Sequence, residues 1–589
     1  MSETPGKANP VAAVAAGGAD TRGRRYTDAM PPAPPPAPPR TLSDRLFAAA
    51  GVAVAAAALA FGVPLFLQSG PWCDLTLYQM AARNVLDGGV LYRDVFDTNL
   101  PGFVWALALI QATFGESLVA VRVIDLAIVA AIAAVLTRQV GDAGGGPATR
   151  AWFVAGVALY YPFTLEFNHA QRDVWMLLPA LAAFRLRQAG VAPFAEGLLW
   201  GVAVWVKPHV VVPAFAVWAA SARYRPPGRT LGTAPLLAAG GSLGVAGVAA
   251  IVAGGAWPDF VEVFTRWNPE YTAGTLAELP TRLLLTFQYF APWSLMHVVT
   301  VPMAVRQLVR GRRPDPTARP RALLAALYLS WMLQALLIQR ALDYVHVPET
   351  LLGLAVAAAY RVPVGLAGGL TLAAQAAAVC AGLGGVTWVM DYFPAETPRV
   401  ASPEAWAAWP HCFGPGSPAL RDRLEHYPVH CFATWTDLAA VEGYLRSVEP
   451  PLRDGELLAF HDSPHALFLS LRLKPATRYL HFGTATAIRS QQPRVAEEVR
   501  RSAPRYAVSD LMRMTRKKGV AAAPDARGDP NGLPAWLPLS LRGSFPWDQP
   551  VAFRSGRYVV HRVTRPIGDV DVPAWHRLDD LGPGDESGR

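Results

Sequence analysis

Cysteine is scarce in this chain, four in 589 residues, and that excludes a disulfide-stapled scaffold. Charge is scarce as well. Only 16% of residues are Asp, Glu, Lys or Arg, where soluble proteins carry roughly 25%. The scarcity is regional: 48 charged residues fall in 391–589 and only 40 in the much longer 45–390. A soluble α/β enzyme and a nucleic-acid-binding domain are therefore excluded for the middle of the chain. The sequence shows no nucleotide-binding loop, and no His/Cys/Asp spacing has the pattern of a metal signature. Neither a metal nor a cofactor is expected.

What the middle does contain is a series of apolar runs of roughly 17–25 residues, long enough to cross a hydrocarbon core as helices. Leu46–Leu67, Ser117–Leu136, Thr233–Gly254, Leu283–Val305 and Pro363–Met390 are examples. The formal net charge of +9 comes from arginines clustered between such runs, the positive-inside pattern of a multi-span membrane protein. Arg138–Arg150, Arg185–Arg187, Arg223–Arg229 and Arg306–Arg321 all fall on one side if spans run near 46–67, 117–137, 151–167, 173–184, 193–206, 209–222, 233–254, 283–305, 322–338, 345–359 and 363–388. This count of about eleven requires that Leu100–Phe114 does not span. It is too short, begins at a proline and ends at Gly115, so it reads as a juxtamembrane or re-entrant helix. The expected organisation is a Pro-rich cytoplasmic tail (1–44), a transmembrane domain (45–390) with a first outer loop at 70–116, an outer domain (391–566) and a flexible tail (567–589). Four polar clusters then share the outer face: Cys73–Pro101, Asn168–Asp173, Lys207–His209 and Gln339–His346.

The first of these, CDLTLYQMAARNVLDGGVLYRDVFDTNLPG (73–102), is the most informative stretch. It resembles the first extracytoplasmic loop of the GT-C membrane glycosyltransferases, in particular the protein O-mannosyltransferase-like group (family 39-like) that includes the bacterial aminoarabinose–lipid A transferases. The elements carrying the resemblance are Asp74, Tyr78, the Gly89/Tyr92/Asp94 motif, Pro101, Phe114-Gly115 and Arg122, then HAQRD (169–173), Lys207-Pro208 and QRALDYVH (339–346). They extend over roughly 46–390. The resemblance implies an inverting transferase of the cytoplasmic membrane that takes a sugar from a polyprenyl-phosphate carrier on the outer leaflet and gives it to a glycan, lipid or protein acceptor. A base must take the acceptor proton and cations must hold the leaving phosphate. Asp74 matches the family's first-loop catalytic acid. One departure matters. Where the aminoarabinose transferases carry a lysine before the loop proline, this chain has Thr98-Asn99-Leu100. Phosphate binding then falls to Arg93, Arg172, Lys207 or Arg340.

Each candidate also has a plainer reading. Asp74 can be an interfacial carboxylate flanking a span. Asp94 and Asp97 can pair with Arg93 or cap a short helix, and His169, Arg172 and Asp173 can form a neutralised cluster. Lys207 lies between two apolar runs, where an ammonium needs an anionic partner or a water-filled cavity. Arg340 and Asp343 can pair, Tyr344 lies beside them, and His346 reads more readily as a hydrogen-bonded structural residue. Tyr78, Arg93, Asp94, Asp97, His169, Arg172, Asp173, Lys207, Arg340, Tyr344 and His346 are the expected substrate-binding set, around Asp74 as base.

After 390, Glu456–Phe460, Tyr479–Phe482, Ala507–Ser509 and Tyr558–Val563 read as strands, and Leu438–Val448 and Val495–Ser502 as amphipathic helices. The alternation predicts a small α/β domain, to which no chemistry is assigned. Cys412 and Cys431 could pair there if it faces an oxidising compartment, while Cys380 reads as packing. Two rival functions share the multi-span form. A lipid-linked glycan ligase or polymerase carries its large loop late among the spans, whereas here the acidic motif follows the first. A transporter or flippase predicts internal repeats, which the two halves of 46–390 do not show.

Overall fold

The computed structural model describes residues 41–225, 230–273, 279–288, 293–309, 316–340, 342–360, 403–424, 433–511 and 542–568, with 533 and 570. The tail over 1–40, the expected span 363–388, Cys380, Cys431 and most of 567–589 lie outside them. The architecture is that of an α-helical polytopic membrane protein with a small C-terminal sheet. Four helices are both long and apolar enough to cross a membrane: α1 (Leu42–Gln68), α4 (Leu118–Asp142), α9 (Thr233–Ala253) and α14 (Ala318–Leu337). Between them run α2 (Cys73–Leu86), α3 (Gly102–Phe114), α5 (Pro147–Tyr160), α6 (Arg172–Ala189), α7 (Pro193–Val206), α8 (Val211–Arg223), α10 (Trp257–Glu262), α11 (Asn268–Ala273), α12 (Leu279–Gln288) and α13 (His297–Val309), and α15 (Val347–Ala359) follows.

Most expected spans among the described residues coincide with a helix, but 151–167 and 283–305 do not. In the first, α5 ends at Tyr160 and 3₁₀ turns follow at Tyr161–Phe163 and Glu166–Asn168; the second is divided between α12 and α13, with a 3₁₀ turn at Trp293–Met296. A hydropathy average does not register such a change of backbone geometry. The expected non-span becomes α3, whose 13 residues reach only about 20 Å at 1.5 Å per residue. The start of α3 lies against the end of α7. A Cβ on Gly102 would stand 2.4 Å from the Trp205 carbonyl oxygen, so only glycine permits the approach.

Helix α2 is almost entirely buried from Leu75 to Ala82, because it is covered on one side by the bundle and on the other by the C-terminal domain. Arg83 donates to the Phe468 and Leu473 carbonyls (3.3 and 2.9 Å), and Phe96 donates its backbone N–H to the Arg478 carbonyl (2.9 Å).

The sheet has the order β1-β2-β4-β3, from β1 (Leu457–Ala459), β2 (Tyr506–Asp510), β3 (Val551–Ser555) and β4 (Tyr558–Arg562). β1 and β2 are parallel with Leu458 opposite Ala507, and β4 is antiparallel to both β2 and β3. The helices over 466–471, 482–487 and 492–501 make the crossover that a parallel pair requires. The expected strand at Tyr479–Phe482 is absent: Phe482 opens the helix Phe482–Ala487. Burial makes that run apolar, and it lies in the crossover rather than the sheet. Cys412 is a buried free thiol among the described residues.

Candidate active site

Asp74 occupies the first turn of α2, and one turn later Tyr78 lies on the same face. The loop after α2 folds back over them. Asn99 donates its amide to Tyr78 Oη (3.2 Å) and to Asp97 Oδ1 (2.6 Å), and its backbone N–H also reaches Asp97 Oδ1 (3.2 Å). Asp97 is only 4% exposed, and its Oδ2 has no hydrogen-bond partner among the described residues. Burial pushes the Asp97 carboxyl up, against the opposing pull of Arg172.

Arg172 begins α6 and is 4% exposed. Its guanidinium lies over the Tyr78 ring at 4.9 Å and within electrostatic reach of Asp97, Tyr344 and Asp74. Yet Nε and Nη1 have no hydrogen-bond partner among the described residues. The adjacent Asp173 does not pair with it. Asp173 binds Lys207 instead, at 2.6 Å, with both side chains buried, and Lys207 also donates to Gln339 Oε1 and lies 5.7 Å from the Tyr344 ring. Burial pushes the Lys207 ammonium down to about 8 against the pull of Asp173. The anionic partner that Lys207 needs is thus supplied by the protein, and of these two cations it is Arg172 that keeps bare donors among the described residues.

The segment that presents Arg172 is locked from behind by α4. Asp125 accepts from the Ala170 N–H, Tyr161 Oη and Trp175 Nε1, each at 2.8 Å. Ala170 has φ of 52°, a left-handed conformation that a non-glycine residue holds only when its surroundings impose it. Arg122 donates to the Gly70 carbonyl (2.6 Å) at the end of α1 and bonds His169 Nδ1, while His169 Nε2 meets Thr164 Oγ1 at 3.1 Å. His169 is therefore part of the support and does not line the site. Asp125 was missed from sequence; the available signal was a carboxylate inside an apolar run.

Four further expected site residues take plainer roles. Arg93 is ion-paired to its neighbour Asp94 at 2.9 Å and is largely exposed. Asp94 also accepts the Val90 N–H (2.6 Å), and these bonds outweigh burial to hold its carboxyl below the usual range. The pair closes a turn, as local charge and hydrogen bonding dictate for adjacent residues, and faces a separate cleft lined by Lys474 and Glu498. Arg340 is exposed over the Tyr271 ring at 4.5 Å. His346 Nδ1 meets Glu349 Oε1 at 2.5 Å in a buried pair, the structural role that its position beside α15 favours.

Sequence reading also assigned nothing to the C-terminal domain, yet it brings His481 Nε2 to 3.4 Å from Asp74 Oδ1. Cys73 joins them: its Sγ, the Asp74 carboxylate and the His481 ring nitrogen lie within 4.8 Å of one another, a set able to hold a metal ion.

An apolar groove of about 690 Å³ runs between α7, α8 and α9, lined by Trp200, Trp205, Phe215, Trp218, Gly244 and Leu100. Its boundary residues adjoin the polar site in sequence, Leu100 next to Asn99, and Trp205 and Val211 on either side of Lys207.

No family model matches the chain, and no curated protein matches it. Among solved structures the chain is similar to the crystal structure of ArnT from Cupriavidus metallidurans in the apo state, at 15% identity and a TM-score of 0.49, over 89% of this chain and 98% of that one. It is similar also to the crystal structure of the same protein bound to undecaprenyl phosphate, at 14% identity and a TM-score of 0.48, over 89% of this chain and 99% of that one.

Proposed function

We propose that this chain is a glycosyltransferase of the cytoplasmic membrane that moves a sugar from a polyprenyl-phosphate carrier to an acceptor hydroxyl on the extracytoplasmic face, with inversion at the anomeric carbon. The observation that carries the reading is the buried guanidinium of Arg172, two of whose donors have no partner among the described residues, within electrostatic reach of Asp97 and Asp74; an apolar groove is lined by Leu100 and Trp205, which adjoin Asn99 and Lys207 in sequence. A desolvated cation with bare donors matches a phosphate. A groove walled mainly by Trp, Phe, Leu and Gly matches an isoprenoid chain and has little polar surface to offer a soluble nucleotide sugar.

In this reading the acceptor oxygen forms its bond to the anomeric carbon from the face opposite the phosphate. The bond from that carbon to the phosphate oxygen breaks, and the proton passes to Asp74. Arg172 stabilises the charge that develops on the departing phosphate, which is worth more in a water-poor site than in solvent. Tyr78 and Asn99 set the floor against which the guanidinium lies. The Asp173–Lys207 pair and Tyr344 form the adjoining wall.

The test is transfer from a radiolabelled polyprenyl-phosphate sugar by the purified protein. Asp74→Asn keeps size and most hydrogen bonding while removing the basic site, so transfer falls by about 10²–10⁴ with donor binding retained. Near-normal turnover in a well-folded Asp74→Asn variant sinks the base assignment. Absence of both transfer and donor hydrolysis by the wild type favours a transporter.

A further inference from the structure

We propose that Cys73, Asp74 and His481 form a zinc site that joins the first turn of α2 to the C-terminal domain. It shares Asp74 with the transfer site, but its readout is metal content and does not depend on transfer. The three ligand atoms, a thiol sulfur, a carboxylate oxygen and an imidazole nitrogen, lie within 4.8 Å of one another. Around a tetrahedral zinc with bonds of about 2.0–2.3 Å, ligand atoms stand roughly 3.3–3.8 Å apart. The 3.4 Å between Asp74 Oδ1 and His481 Nε2 is thus already one edge of such a tetrahedron. The other two edges, from sulfur to oxygen and to nitrogen, need shorten by at most about 1.3 Å to close it.

The donor set selects the metal. A thiolate with an imidazole suits zinc and disfavours magnesium and calcium, which demand oxygen ligands. Cys73 is buried at 5% exposure, while the Asp74 and His481 side chains keep 14% and 13% of theirs. Three protein ligands on a partly open site leave one coordination position free, the arrangement of zinc centres that also bind a small molecule.

The surroundings are built to hold the histidine. The His465 ring lies 5.3 Å from that of His481, and Asp462 is 3.8 Å from His465. Asp462 also accepts the Gly483 N–H at 3.4 Å, two residues beyond His481. The turn carrying Asp462 and His465 is tied to the sheet through Ser463, which donates to Asp510 (2.5 Å). These contacts fix the segment that carries His481. The arrangement also fits the proposed transfer. An ion on one Asp74 oxygen leaves the second for the acceptor, and the open position can take the acceptor hydroxyl and lower its pKa.

The experiment uses the full chain in detergent, stripped with a chelator and titrated with Zn(II) and, for its spectrum, Co(II). One ion per chain is expected, with a thiolate-to-cobalt charge-transfer band. Cys73→Ser removes that band. His481→Gln weakens binding by at least the ~10²-fold that loss of even an outer-shell partner can cost. Both variants are near-isosteric and retain the elution volume and helical circular dichroism of the wild type. Absence of stoichiometric binding in folded wild type, a cobalt spectrum without the thiolate band, or unchanged binding in both variants overturns the site and leaves Asp74–His481 as an ion pair only. Stoichiometric metal binding without sugar transfer upholds this inference and refutes the transferase; transfer by a wild type that takes up no metal on titration does the reverse.

Discussion

Arg172→Met separates a ligand-binding cation from a structural one. A phosphate meeting one of the bare Nε and Nη1 donors forms a charge-assisted hydrogen bond of about 1.5–3 kcal/mol. Its loss is a weakening of roughly 10–10² in Kd for a polyprenyl phosphate. The effect on the ligand-free protein has a different sign. The substitution removes a stacking contact with Tyr78, worth about 1–2 kcal/mol, but it also removes a buried charge whose desolvation costs several kcal/mol. Asp97, already pushed up by burial, can take a proton when its neighbour is gone. The free variant should therefore match the wild type in stability within about 1 kcal/mol or exceed it. The assay is thermal unfolding in detergent across a polyprenyl phosphate titration. At 100 times the wild-type Kd the ligand adds about 2.7 kcal/mol to the wild type. At the same concentration it adds no more than about 0.4 kcal/mol to a variant weakened 100-fold. A wild-type-sized shift in Arg172→Met, or a loss of more than about 3 kcal/mol in the free variant, refutes the assignment.

Lys207→Met leaves Asp173 buried without its 2.6 Å partner and should cost about 3–5 kcal/mol, read by chemical denaturation; the double variant with Asp173→Leu should recover most of it. Asp510→Asn strands Arg557, which is 10% exposed, and should destabilise the C-terminal domain by about 3–5 kcal/mol. Burial would raise the Asp510 carboxyl, but Arg557 holds it below the usual range. That contribution is complete above pH ~4 and is lost as pH falls through the lowered pKa, so wild type and variant should converge in acid. A cysteine placed at Gly311, among the arginines of 306–321, should resist a membrane-impermeant thiol reagent in intact cells; labelling there would invert the proposed orientation and remove Asp74 from the outer face.

Helix positions were legible because apolar length is a one-dimensional property. α1, α4, α9 and α14 lie where the runs place them, and the proline and glycine that bracket 100–115 also bracket α3. The 3₁₀ turn between α12 and α13 was not legible, since a window average of hydropathy carries no backbone geometry. Within the site, Asp74, Tyr78, Asp97 and Arg172 could be named from position alone, but their division of labour could not. Arg172 and Asp173 are neighbours in sequence and invite pairing. Successive helical residues point about 100° apart, however, and Lys207, after α7, takes the carboxylate and leaves the guanidinium bare.

By itself the sequence determined that this chain is largely helical with apolar runs long enough to cross a membrane, and that an acidic, aromatic stretch follows the first of them. Those are consequences of hydropathy and local charge, which read the same in any fold. Only the tertiary structure decided which cation keeps unsatisfied donors. It alone showed that Asp125 and Arg122 lock the segment carrying that cation, and that His481 meets Cys73 and Asp74. The physical reason is that hydrogen bonding and metal ligation act over about 2–4 Å. The residues within that reach of one another come from α2, α4, α6, α7 and the C-terminal domain, and no spacing along the chain records that they converge.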